Sequence, residues 1–247
     1  MPNLADLNPS EQIKLCVYGL SGTGKTCFAT SFPTPLWVCD FDGKISSAAN
    51  FWKLKDPKRL SGIQYEDFSG YTTGGVRVFQ KFEGLLRQLE EKCPFKTIVL
   101  DSLTTFVDSL MQHVIAENPA TKRYSKDIPV IQDYGILNQL FKTTMRRLLA
   151  LPTNLVVVGH ISMTKDEMTG EVIYRPALSG QLPEVLPVLF QEVYRSFTEV
   201  RDGKTLHLAQ TKAQGKMMAR TQIPSLPPVI PLDYNAIVAA MKPKGDK

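Results

Sequence analysis

The eight residues GLSGTGKT, running Gly19-Leu20-Ser21-Gly22-Thr23-Gly24-Lys25-Thr26, fit the pattern G-x-x-x-x-G-K-[ST] without a mismatch. They follow the short apolar run IKLCVYG (residues 13–19) and precede a helix-compatible stretch. The local order is therefore buried strand, glycine-rich loop, helix. That order points to an α/β fold in which ligand sits at the carboxyl ends of parallel strands. Glycines at 19, 22 and 24 permit positive φ and close approach, so successive backbone N–H groups can converge on phosphate oxygens.

In such a loop Lys25 bridges the β and γ phosphates, and Thr26 offers its hydroxyl to Mg²⁺. The nucleotide-binding set extends from Gly19 to Cys27, with ATP and Mg²⁺ as expected ligands. A carboxylate must also hold the metal through its water shell. Asp101, ending the apolar run TIVLD, is placed for that role, although a strand-end Asp can also cap the next helix. The second apolar run, LWVCDFDG (residues 36–43), ends in Asp40-Phe41-Asp42. Strand alternation would put both carboxylates on one face, with Asp42 as the base toward water and Asp40 in support. A turn closed by Asp42-Gly43 is the plainer alternative.

The remaining pattern completes an α/β chain. Residues 76–92 and 104–118 read as helices, as do 131–151 and a short stretch at 184–191; residues 97–102 and 155–160 read as buried strands. Asp202-Gly203 between VYRSFTEV and TLHLAQTK signals a β-hairpin. Residues 44–75 show no clear period beyond a short strand at 63–68. At 247 residues, 43% apolar and 21% charged, the chain suits one domain with a sizeable core. The expected division is an N-terminal extension at 1–12, the nucleotide-binding domain at 13–223, and a proline-rich basic tail at 224–247 carrying Lys242, Lys244 and Lys247.

The order of these motifs resembles the RecA recombinase core, and more closely the RecA-like ATPases of phages that act as single-strand annealing recombinases. The resemblance spans residues 13–220. It implies an α/β fold with a RecA-like P-loop NTPase core, a mostly parallel sheet flanked by helices, and an antiparallel edge hairpin. In RecA-type enzymes a glutamate after the second strand activates water; CDFDGK places the shorter Asp42 there. VVVGH puts His160 where a polar residue senses the γ-phosphate. Two loops hold DNA in that family, here residues 118–129 and 162–180. The first contains Lys122, Arg123, Tyr124 and Lys126, cations to track phosphate and a ring to stack on a base. QTKAQGK resembles the place from which a neighbouring subunit supplies a cation, which makes Lys212 the trans-acting candidate.

DNA-stimulated ATP hydrolysis by a homo-oligomer, ring or filament, follows from that resemblance, with single-stranded DNA as partner and room for a single-strand DNA-binding protein. Two other readings remain open: a P-loop kinase acting on a nucleotide or small molecule, since Asp-x-Asp can also face a phosphoryl acceptor, and a non-catalytic, ATP-gated DNA-binding module. The net charge of +5 favours a polyanion only weakly. Cys16, Cys27, Cys39 and Cys93 form no C-x-x-C pair, and no signal peptide or membrane-length apolar run is present. The expected setting is cytoplasmic, a bacterial host's cytoplasm for a phage protein, with no membrane contact.

Overall fold

The computed structural model describes residues 12–70, 75–118, 124–125, 128–165, 167–168 and 170–241. The expectations placed on residues 1–11, on Lys122, Arg123 and Lys126, and on Lys242, Lys244 and Lys247 lie outside the described residues.

The strands are β1 (Lys14–Gly19), β2 (Leu36–Asp40), β3 (Ile63–Asp67), β4 (Thr97–Asp101), β5 (Asn154–Lys165), β6 (Val172–Pro176), β7 (Glu192–Arg201), β8 (Lys204–Gln210) and β9 (Val229–Pro231). They form one sheet in the order β3-β2-β4-β5-β1-β7-β8-β9, with β6 paired to β5 off that path. From β3 to β7 every pairing is parallel, and β8 and β9 add antiparallel strands at the edge. The expected fold class is thus observed. Asp202 and Gly203 take φ of 51° and 72°, the left-handed pair that a two-residue hairpin turn needs.

The near-continuous apolar sequences of β1, β2 and β4 follow from burial on both faces. Strand alternation divides them between two cores. Cys16, Tyr18, Ile98, Leu100, Leu155 and Val157 pack with one set of helices, while Leu15, Val17, Val99, Val156 and Val158 pack on the opposite side. The first set comprises α3 (Gly75–Glu91), α4 (Leu103–Glu117), α5 (Ile131–Ala150) and α6 (Leu182–Leu189); Phe82, Phe106, Phe141 and Leu186 are among the side chains they bury. On the other side Phe28 of α1 (Lys25–Ala29) packs with Ile237 of α7 (Tyr234–Met241).

Three segments depart from the sequence expectation. The stretch at 44–75 holds α2 (Ser46–Lys55) and a 3-10 turn (Pro57–Gly62) before β3. Only Ala48 and Trp52 of α2 are buried, too few to print a helical period. Much of the expected second DNA loop, 162–180, is instead a hairpin: β5 runs on to Lys165 and pairs antiparallel with β6. The described part of the expected tail, residues 224–241, is folded in, since β9 pairs with β8, and Leu226, Ile230 and Ile237 are buried in the second core.

Candidate nucleotide site

Parallel register lines up the polar strand ends. Gly19 lies opposite His160, and Asp101 lies between Asp40 on β2 and Val158 on β5. Beyond these ends opens a cavity of about 800 Å³, the size of a small-molecule site. Ser21, Gly22, Gly24, Lys25, Thr26 and Cys27 line it from the phosphate loop, and Asp42, Asp101 and His160 from the other strand ends.

Local sterics explain the loop's composition. A Cβ on Gly19 would lie 2.2 Å from Ser196 Oγ and 2.5 Å from Ser196 O, so β7 leaves no room for a side chain. Gly22 and Gly24 sit at φ of 79° and 90°. Thr23 does not face the cavity; it bonds Leu20 O at 2.9 Å and Ser196 Oγ at 2.7 Å, pinning the loop to β7. Leu20 is 56% exposed and lines a smaller cleft on the far side of the loop.

Lys25 is buried and donates to Gly19 O at 3.0 Å and Leu20 O at 2.7 Å. Burial lowers its pKa, opposed by the charges of Asp101 and Asp42. Thr26 donates its hydroxyl to Asp101 Oδ2 at 2.6 Å. Burial pushes the Asp101 carboxyl up to about 6. Ser102 holds the N-cap position of α4, so Asp101 is not the cap. A hard divalent cation takes oxygen donors. The Thr26 hydroxyl and Asp101 carboxylate suit a hydrated Mg²⁺ completed by phosphate oxygens. Among the described residues no cluster of three His, Cys, Asp or Glu could hold a metal ion without such help.

Asp42 and Asp40 serve different ends. Because β2 stops at Asp40, alternation does not reach Asp42. Asp40 accepts N–H bonds from Lys44 at 3.1 Å and Ile45 at 2.9 Å, closing the turn into α2. Asp42 instead accepts from Ser102 Oγ at 2.7 Å and from Thr105 Oγ1, and its Oδ2 lies 3.2 Å from His160 Nε2. Burial alone would raise the Asp42 pKa, but the bonds from His160, Thr105 and Ser102 and the charge of Lys44 together hold it far below the usual carboxylate range.

Two further predicted residues, outside the phosphate loop, also lie apart from this cavity. Tyr124 is 98% exposed, and Lys212 is exposed with its carbonyl accepting from Gln210 Nε2. The structure adds contributors that carried no motif: Phe51 and Lys55 from α2, His207 from β8, and Leu232 with Asp233 beyond β9. His207 Nδ1 lies 3.0 Å from Thr23 O. Only the Asp-Gly turn hinted that β8 would reach the loop.

Residues 11–223 match the family described as AAA domain. Among solved structures, a KaiC-like protein from the hyperthermophilic archaeon Pyrococcus horikoshii aligns over 80% of this chain and 76% of its own, with 13% identity and a TM-score of 0.44. The flagellar accessory protein FlaH from Methanocaldococcus jannaschii aligns over the same shares with 11% identity and a TM-score of 0.41. No curated protein matches the chain.

Proposed function

Because the chain belongs to the AAA domain family and carries an intact phosphate loop, we propose that it is a Mg²⁺-dependent ATPase stimulated by single-stranded DNA, serving annealing, recombination or repair of the phage type. The observation that carries the ATPase reading is the 2.6 Å contact between Thr26 and Asp101, beside Lys25, in one cavity. That pair supplies oxygens for the metal, and Lys25 supplies the charge that meets the negative charge developing on the γ-phosphate. Asp42 and His160 complete the γ-phosphate end. So acidic a carboxylate is a weak proton acceptor, which supports a role for Asp42 in orienting water and His160 rather than in removing a proton.

The DNA reading rests on the resemblance to phage annealing proteins, on the cations Lys122, Arg123 and Lys126 that neighbour Tyr124 in the sequence, on the exposure of the Tyr124 ring, and on the net positive charge. A ring or filament follows from the same resemblance, with Lys212 reaching the neighbouring subunit's γ-phosphate. The deciding experiment is ATPase rate against added single-stranded DNA. A severalfold rise that falls off with salt is expected. A rate indifferent to DNA would sink the DNA role, and phosphate transfer to a small acceptor would install a kinase in its place.

A further inference from the structure

The cavity extends from the phosphate loop to residues of α2 and of the segment after β9. Lys25 stands at the start of the five-residue helix α1, and near its far end Ser31 Oγ accepts the N–H of Tyr234 at 3.0 Å. At 1.5 Å per residue the helix separates these ends by roughly 7 Å. Cavity walls at the far end come from two remote parts of the chain: Phe51 and Lys55 on α2, and Pro231, Leu232 and Asp233 after β9. The second group lies beyond residues 11–223, the extent of the family match.

We infer that Phe51 and Leu232 hold the nucleobase of the bound nucleoside triphosphate, so the segment after residue 223 completes the nucleotide site. The inference rests on the nucleotide-binding reading above and adds the half of the site that the phosphate loop does not supply. Phe51 is 37% exposed and lines the cavity, with Lys55 Nζ 5.3 Å from its ring centroid, so an entering base would share the ring with that cation. Its position is fixed through Trp52, whose ring it meets edge-on at 5.0 Å and whose Nε1 donates to Thr30 Oγ1 at 2.9 Å. Leu232 is held by its N–H, which donates to His207 O at 2.9 Å. Both walls are thus tied to elements that carry the phosphate end. Walls already held in place lose little conformational freedom when a flat base enters. The walls meet where Lys55 Nζ and Asp233 Oδ2 stand 3.4 Å apart, offering a donor and an acceptor to the polar edge of a base.

The test compares ATP with inorganic tripolyphosphate, each titrated calorimetrically with Mg²⁺ into the full chain. Wild type should bind ATP more tightly than tripolyphosphate. Phe51→Ala and Leu232→Ala should each weaken ATP by about tenfold, the scale of one lost base contact, and leave tripolyphosphate unchanged. Unchanged ATP affinity in both variants would overturn the base site, as would a wild type that binds the two ligands equally. A wild type that binds neither would overturn the nucleotide reading itself. Folding of each variant is checked by its melting temperature.

Discussion

Thr26 Oγ1 donates to Asp101 Oδ2 at 2.6 Å, a bond that ties the phosphate loop to the end of a strand two places away in the sheet. It persists at a carboxyl whose pKa burial raises from 3.8 to about 6, with Asp42 and Asp40 adding to the rise and Thr26 and Lys25 opposing it. A carboxyl raised on folding contributes fully below its unfolded value and loses that contribution as pH climbs through its folded value. Asp101→Asn should therefore stabilise the nucleotide-free protein relative to wild type. The gap in urea-melt stability should widen between about pH 4 and pH 7 toward a ceiling of about 3 kcal/mol. In ATP and Mg²⁺ the order should reverse, because the variant lacks the metal's carboxylate. A gap independent of pH would show that Asp101 is not raised.

Asp42→Asn should keep ATP affinity and lose turnover by about a hundredfold, since the charge that orients His160 and water disappears. With Asp42 ionised throughout, the wild-type rate should show no inflection from this group above about pH 4. Normal turnover in the variant would place water activation elsewhere.

Gly19→Ala should cost about 1–3 kcal/mol in urea unfolding, the usual penalty for forcing a methyl into a packed space. Adding Ser196→Ala removes the clash with Oγ but leaves the backbone oxygen 2.5 Å away. The double variant should remain destabilised. Full recovery would mean that β7 can yield at Ser196.

Lys25→Ala should abolish hydrolysis, and Lys212→Ala should do the same if its cation acts across a subunit interface. Mixing an excess of the first variant, which keeps the donor, with the second, which keeps the phosphate loop, should restore turnover. A cation supplied in trans can contribute about a thousandfold in rate, so the recovered signal is large against either variant alone. Co-assembled but inactive mixtures would exclude Lys212 from that role.

Local chemistry was legible in the residues themselves. Backbone conformation and phosphate binding are properties of a contiguous stretch, so GLSGTGKT declared the loop, and the apolar runs at β1, β2, β4 and β5 declared strands buried on both faces. Asp-Gly declared its turn because few residues tolerate two consecutive positive φ values. Contacts between distant segments were not legible. Alternation suggested that Asp40 and Asp42 act together, yet the end of β2 separates them, sending one into the α2 turn and the other to Ser102, Thr105 and His160. Nor did the prolines at 224–231 reveal that β9 pairs with β8 and carries Leu232 to the cavity. Hydrogen bonds between residues more than a hundred positions apart leave no periodic trace in a sequence. The phosphate loop is written within one contiguous stretch, whereas its partners Asp101, Asp42 and His160, and the cavity walls from α2 and the end of β9, come together only once the sheet has formed.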